Sequence, residues 1–92
     1  MRVQDAKTGQ VVYSVEDYYD KINQLNNPTL ARGTITAIDE DSESITVHWA
    51  DAPAGTEDEH SSEFFFATKQ AAIADYIGRT TEYLVDQAMY MD

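Results

Sequence analysis

The chain has 92 residues, the length of one small domain, and its 17 acidic and 6 basic side chains give it a formal net charge of −11. So acidic a surface repels nucleic acid and anionic lipid, which excludes direct nucleic-acid binding and attachment to a membrane surface. Hydrophobic residues make up 42% of the chain and aromatic residues 11%, which is enough for one core. We therefore expect a single domain over residues 1–92.

Several functional classes are excluded by residue types and segments that the sequence lacks. The absence of cysteine rules out a disulfide framework, a thiolate zinc site and a cysteine nucleophile. The first residues are not followed by the apolar run of a signal peptide, and no stretch approaches the roughly 18 apolar residues of a membrane-spanning helix. These features predict a cytoplasmic protein.

The N-terminal third predicts a β-hairpin followed by a helix. β-prone residues at 2–4 and 10–13 flank a turn in which Gly9 can take a positive φ. Ser14 is a candidate N-cap for the helix, and the residues at 26–28 (NNP) end it. The helix is expected because apolar side chains recur at three- and four-residue spacing. They are Val15, Tyr18, Tyr19, Ile22 and Leu25.

The middle of the chain has the clearest β-strand pattern. Residues 30–38 and 45–49 are β-prone runs joined by an acidic turn at 39–44, and the second run alternates apolar with polar side chains. We expect Trp49, which ends this alternation on its apolar side, to be buried. Its expected neighbours are Ile22, Ile35, Val47 and Phe65. After an acidic loop, the apolar run at residues 63–67 predicts a further strand.

The C-terminal residues predict helical structure after Thr68, a candidate N-cap. Gly78 disfavours a helix interior by about 1 kcal/mol relative to alanine, so one long helix and two shorter ones remain alternatives. The apolar stripe of this region is wider than is needed to cover a small sheet, which predicts a homodimer through the C-terminal helix. The stripe contains Ile73, Tyr76, Ile77, Thr80, Tyr83, Leu84, Ala88 and Met91.

Together these elements predict an α+β fold. We expect a small antiparallel β-sheet or an SH3-like partial barrel, packed with a helix in the N-terminal half and with one or two C-terminal helices. The stretch from Arg32 to Trp49 resembles the central hairpin of SH3-like and Tudor-like barrels. It has a glycine, an alternating strand, an acidic turn and a strand that ends in tryptophan. The resemblance covers less than a quarter of the chain and implies no site residues.

No residue pattern for catalysis or metal binding is complete in the sequence. An EF-hand loop that began at Asp39 would need glycine at its sixth position and glutamate at its twelfth, where the chain has Ser44 and Ala50. His48 and His60 lack the spacing of a zinc site, and the four glycines are too isolated to form a phosphate-binding loop. We therefore predict a non-enzymatic protein without a metal ion or another cofactor.

The acidic side chains are concentrated in the middle of the chain. Residues 33–67 contain nine Asp and Glu and no Lys or Arg, whereas residues 1–32 are neutral overall. Because like charges destabilise a compact fold, these side chains are either solvated turn residues or a surface that binds a partner. The predicted partner-binding residues are Asp39, Glu40, Asp41, Glu43, Glu57, Asp58, Glu59 and Glu63.

Regular spacing would allow such carboxylates to imitate the phosphates of a nucleic acid. Acids at i and i+2 on a strand lie about 6.5–7 Å apart, a distance comparable to that between successive phosphates of one DNA strand. In size, charge and lack of cysteine, the chain resembles small acidic phage proteins that inhibit DNA-binding enzymes. This resemblance implies a nucleic-acid mimic that binds a basic surface of a DNA- or RNA-binding protein and inhibits it.

Two other functions are compatible with the same sequence. One is a small SH3-like interaction module that binds a peptide or a subunit through exposed aromatic side chains. The aromatic residues concerned are Tyr18, Tyr19, Trp49 and the C-terminal tyrosines Tyr76, Tyr83 and Tyr90. The other is an acidic assembly protein that acts through its C-terminal helix. Binding through the acidic residues should weaken steeply with ionic strength, whereas binding through aromatic residues should not.

Overall fold

The computed structural model describes the backbone of residues 1–20 and 25–89 and the side chains of residues 1–16 and 28–81. Over these residues the chain forms a small α+β fold with an open four-stranded antiparallel sheet and one C-terminal helix. The predicted α+β class and the small antiparallel sheet are therefore confirmed. The strands follow one another across the sheet in chain order. They are β1 (Val11–Asp20), β2 (Leu25–Asp39), β3 (Ser44–Trp49) and β4 (Asp58–Ser61), and the helix is α1 (Lys69–Met89).

The prediction of a helix in the N-terminal half is wrong, because the segment from Val11 to Asp20 forms the strand β1. β1 pairs with β2 from Val11 opposite Thr34 to Asp20 opposite Leu25. Six of the ten residues of β1 are valine or tyrosine, which lose side-chain freedom in a helix and favour a pleated surface. Pro28, expected to end the helix, lies inside β2. Ile22, the expected neighbour of Trp49, falls outside the described residues.

The first predicted hairpin is also wrong, although its glycine behaves as expected. Val3–Asp5 forms a short 3-10 helix, and Gly9 has a φ of +89°. The Gly9 N–H donates to the Ile35 carbonyl at 2.8 Å, and the Ile35 N–H donates to the Gln10 carbonyl at 2.9 Å. The backbone that was expected to pair with residues 2–4 is thus paired with β2, and Val3 packs into the core instead.

The hairpin of β2 and β3 is confirmed and carries the core. Trp49 is 8% exposed and packs with Ile35, Val47 and Phe65, as the sequence predicted. Gly33 makes room for the indole, because a Cβ at this position would lie 3.0 Å from Cε3 of Trp49. The remaining core side chains are Val3, Ala6, Val12 and Ile45.

The strand predicted at residues 63–67 is wrong, because Ser62–Phe64 forms a 3-10 helix. This turn allows two consecutive aromatic rings to pack against each other: Phe64 and Phe65 lie 5.5 Å apart at an interplanar angle of 89°. Phe66 then pairs with Tyr13 of β1 through a single antiparallel bridge. Since β1 and β4 do not pair with each other, the sheet stays open and an SH3-like barrel is not confirmed.

The C-terminal helix is continuous through Gly78, which decides between the two alternatives for this region. The backbone N–H of Ala71 donates to Oγ1 of Thr68 at 3.1 Å, so Thr68 is the predicted cap. α1 contacts β1 and, less extensively, β2. Within the described residues no helix is both long and apolar enough to cross a membrane. Of the predicted stripe, the side chains of Tyr83, Leu84, Ala88 and Met91 lie outside the description.

Candidate functional site

All eight predicted partner-binding carboxylates are exposed. Among the described side chains the ion pairs are Arg2 with Asp5 and Arg79 with Asp75, and neither contains one of the eight. None of the eight therefore has a cation at ion-pair distance within the described part of the chain. The structure separates them by strand and turn into two main groups.

Four of the carboxylates lie in the turn between β2 and β3, which is ordered by its own hydrogen bonds. Oδ1 of Asp39 accepts from the backbone N–H groups of Asp41 at 3.0 Å and of Ser42 at 3.3 Å. Glu43 closes the turn with a φ of +54°, in the left-handed region. Asp39 thus has a structural role that the sequence analysis did not assign, since aspartate commonly stabilises turns in this way.

Glu63 is brought close to this turn by a long-range backbone contact. The N–H of Ser62 donates to the carbonyl of Glu43 at 2.8 Å. Glu43 and Glu63 line one open cavity of about 470 Å³, together with Asp5 and Arg2. We call Asp39, Glu40, Asp41, Glu43 and Glu63 the turn group. No local sequence pattern singles out Asp5, which reaches this cavity through the N-terminal 3-10 helix.

The other three carboxylates lie at the start of β4: Glu57 directly precedes the strand, and Asp58 and Glu59 are its first two residues. Asp58 is opposite Val47, and Glu59 is opposite Thr46, so the two side chains point to opposite sides of the sheet. Oδ2 of Asp58 accepts a hydrogen bond from Nε1 of Trp49 at 2.9 Å. Within β4, Ser61 follows Glu59 on its side of the sheet, and the i and i+2 partner of Glu59 is Glu57, which lies outside the strand.

A second open cavity, of about 370 Å³, lies beside Trp49. Its walls include Glu16, Asp51 and Asp58, and also the guanidinium-bearing Arg32. We call it the Trp49 cavity. Along β3 it lies about 17 Å from the turn group, the length of five residues of strand. The acidic residues therefore form two centres, of which the turn group has the larger excess of negative charge.

Both histidines have contacts that explain their positions. Nδ1 of His48 lies 2.8 Å from the carbonyl oxygen of Thr56. The ring of His60 stacks on Phe64 with centroids 4.7 Å apart and meets Phe65 edge-on at 6.0 Å. Within the described residues no three His, Asp or Glu side chains converge as metal ligands.

Trp49 does not belong to an exposed aromatic surface of the kind that the alternative function requires. Trp49 is buried, and its indole N–H is bonded to Asp58. The side chains of Tyr18, Tyr19, Tyr83 and Tyr90 lie outside the description. Tyr76 is half-buried, and the Arg79 guanidinium lies 5.9 Å from its ring centre.

Comparison with known proteins gives no further guide to the site. No protein-family model, curated protein or solved structure matches this chain.

Proposed function

We propose that the protein binds a basic protein surface through its acidic residues, and that the partner is a DNA- or RNA-binding protein which it inhibits as a nucleic-acid mimic. One observation carries this proposal: all eight carboxylates are exposed, and none of them forms an ion pair with a described residue. Such a cluster destabilises its own fold and lowers the free energy of a complex with a cationic surface. The binding takes place in the cytoplasm and involves no catalysis.

The turn group is the main contact in this proposal. Its hydrogen bonds to Asp39 hold the turn in one conformation, so little backbone freedom is lost on binding. The Trp49 cavity contains Arg32 among its carboxylates, which lowers its attraction for a cationic partner. Because no strand carries two of these carboxylates at i and i+2 within its own bounds, the proposed mimicry rests on density of charge and not on a phosphate-like repeat along a strand.

The first experiment identifies the partner and measures how its binding depends on charge. Proteins captured from the native host are identified by mass spectrometry, and the affinity of the captured partner is measured from low to high salt. We expect the affinity to fall steeply with salt, and duplex DNA or RNA to compete for the partner. An affinity that is independent of salt would contradict the proposal.

Matched variants then locate the contact. Changing all eight acids to Asn or Gln should abolish binding, and Glu40→Gln with Glu43→Gln should weaken it at least about tenfold. The control is Glu16→Gln with Asp51→Asn, which removes the same charge from the Trp49 cavity and should have a smaller effect. Equal losses from both pairs would show that net charge, and not the turn group, determines affinity.

An SH3-like interaction module remains the second candidate because of one contact. The Tyr13–Phe66 bridge, with N–H to carbonyl distances of 2.8 and 2.9 Å in the two directions, brings the chain after β4 to the free edge of β1. A bridge at this position would be one part of the closure that an SH3-like partial barrel requires. If it persists in solution, both amides should be protected from hydrogen exchange as strongly as those of β3. In this alternative, partner binding would be insensitive to salt.

A further inference from the structure

The second distinctive surface of the molecule is apolar and lies where α1 meets the β1–β2 hairpin. α1 packs through Ala72, which is 1% exposed, but leaves Ile73 43% exposed and Ile77 57% exposed. Across from them, Leu30 of β2 is 40% exposed. These side chains, with Val15, Pro28 and Tyr76, line an open groove of about 330 Å³ that we call the apolar groove.

Three of the four large hydrophobic side chains that are exposed in the described part of the chain line this groove. The fourth, Val11, lies at the other end of β1. Single exposed hydrophobic residues are common on soluble proteins, but a contiguous group marks an interaction surface. The distribution therefore points to one docking face.

We propose that a second copy of this chain docks on the apolar groove, related to the first by a two-fold axis. A two-fold interface requires one face that is complementary to itself. The groove meets this requirement because it carries a ridge, formed by Ile73 and Ile77 one helical turn apart, beside a depression between α1 and β2. The ridge of each copy occupies the depression of the other.

The distribution of charge selects a second copy as the occupant. Around the groove, Asp75 is paired with Arg79 at 2.7 Å, and Lys69 lies 5.9 Å from the ring centre of Tyr13. Among the described side chains, the charges around the groove nearly balance, although the whole chain carries −11. Two copies can thus approach here without bringing their turn groups together. A strongly basic partner would be attracted to the turn group instead.

The size of the face is at the lower limit for a stable dimer, since standard protein interfaces bury roughly 600–1,000 Å² on each partner. The 21 residues of α1 extend about 31 Å, and a helix beside two strands is roughly 20 Å wide. The projected area is therefore on the order of 600 Å², and the accessible area of such an uneven face is larger. A standard protein interface buries about 800 Å² on each partner.

Docking through side chains is also favoured over the addition of a strand. Between Leu25 and Arg32, β2 pairs with β1 but has no strand on its other side within the described residues. Pro28 lies in the middle of this free edge and has no N–H to donate to a new strand. Proline at such an edge opposes pairing with another chain.

Sedimentation equilibrium of the full chain from about 1 to 100 µM tests the proposal. We expect the wild-type mass to rise from 10.3 kDa toward twice that value. Leu30→Glu and Ile77→Glu should each raise the dimer dissociation constant at least about tenfold, since each places a charge in an apolar interface. The matched control is Val11→Glu, because Val11 is 41% exposed on the same strand pair but outside the groove.

Two results would overturn the dimer. One is a wild-type protein that stays monomeric over the whole range, and the other is an equal loss of association in Leu30→Glu and Val11→Glu. Circular dichroism verifies that the variants are folded, which their exposed positions favour.

Salt distinguishes this proposal from the proposed function. Added salt screens the repulsion between two acidic copies and should strengthen the dimer, whereas it should weaken binding to a basic partner. A dimer that dissociates as salt is added would contradict the apolar docking, whatever the result with the partner.

Discussion

The two halves of β2 show how differently one strand can be supported. From Gly33 to Asp39, β2 pairs with β3, and as far as Ile35 it also has β1 or the Gly9–Gln10 backbone on its other side. The side chain of Ile35 is buried with Trp49 and Phe65. From Leu25 to Arg32 β2 pairs only with β1 in the described structure, and α1 leaves its apolar side chains partly exposed. The chain thus forms one complete core and leaves a second apolar face partly exposed.

The largest expected effect comes from removing the centre of the complete core. Trp49→Ala should lower the free energy of unfolding by about 3–5 kcal/mol, because it leaves a cavity and removes the partner of Asp58. This is enough to unfold a marginally stable domain of this size. Urea denaturation followed by circular dichroism measures the loss.

Ile77→Ala serves as the comparison for this prediction at the uncovered end. Because Ile77 is exposed, its truncation should change the free energy of unfolding of the monomer by less than about 0.5 kcal/mol. A Trp49→Ala protein that unfolds at the same urea concentration as Ile77→Ala would show that the two regions do not differ as described.

An intermediate effect is expected from adding a methyl group. Gly33→Ala would place a Cβ 3.0 Å from the indole and 3.2 Å from Cβ of Val47, and this overpacking should destabilise the protein by about 1–3 kcal/mol. Thermal unfolding is a suitable measurement. The matched control is Gly78→Ala in α1, where a Cβ meets no atom within 4 Å and helix propensity should raise stability by up to about 1 kcal/mol. Destabilisation by both changes would argue against the open surroundings of Gly78.

The smallest effect should be confined to α1. Thr68→Ala removes the hydroxyl that accepts from the Ala71 N–H and should cost about 1 kcal/mol. Hydrogen exchange should then accelerate in the first turns of α1 and remain slow in β3, since α1 contacts the sheet mainly through β1 and β2. Thr68→Ser retains the hydroxyl and should restore protection. Equal acceleration in β3 would mean that α1 and the core unfold as one unit.

The sequence predicted those elements whose signals are local and unambiguous. β2 and β3 follow from alternating side chains around a turn rich in Asp, and the start of α1 follows from Thr68. The prediction of an N-terminal helix was wrong because Val15, Tyr18 and Tyr19 recur at helical spacing, although valine and tyrosine favour a strand. Greater weight on residue type than on spacing would have corrected it.

The site was predictable as a set of exposed acids but not as an arrangement. Exposure follows from charge, and all eight residues are exposed. The approach of Glu63 to Glu43 depends on one backbone bond between distant parts of the chain, and the position of Asp58 depends on the Trp49 indole. Such long-range contacts cannot be predicted from the spacing of residue types along the chain.

The length of β2 links the two surfaces of the molecule in a way that affects avidity. The strand runs from Leu30 in the apolar groove to Asp39 in the turn group, nine residues and about 30 Å away. A two-fold dimer through the groove would hold two turn groups at opposite ends, up to roughly 60 Å apart. It would act as a bivalent ligand with a fixed span, whose second contact gains from a high effective concentration only on targets that present basic sites at a matching separation.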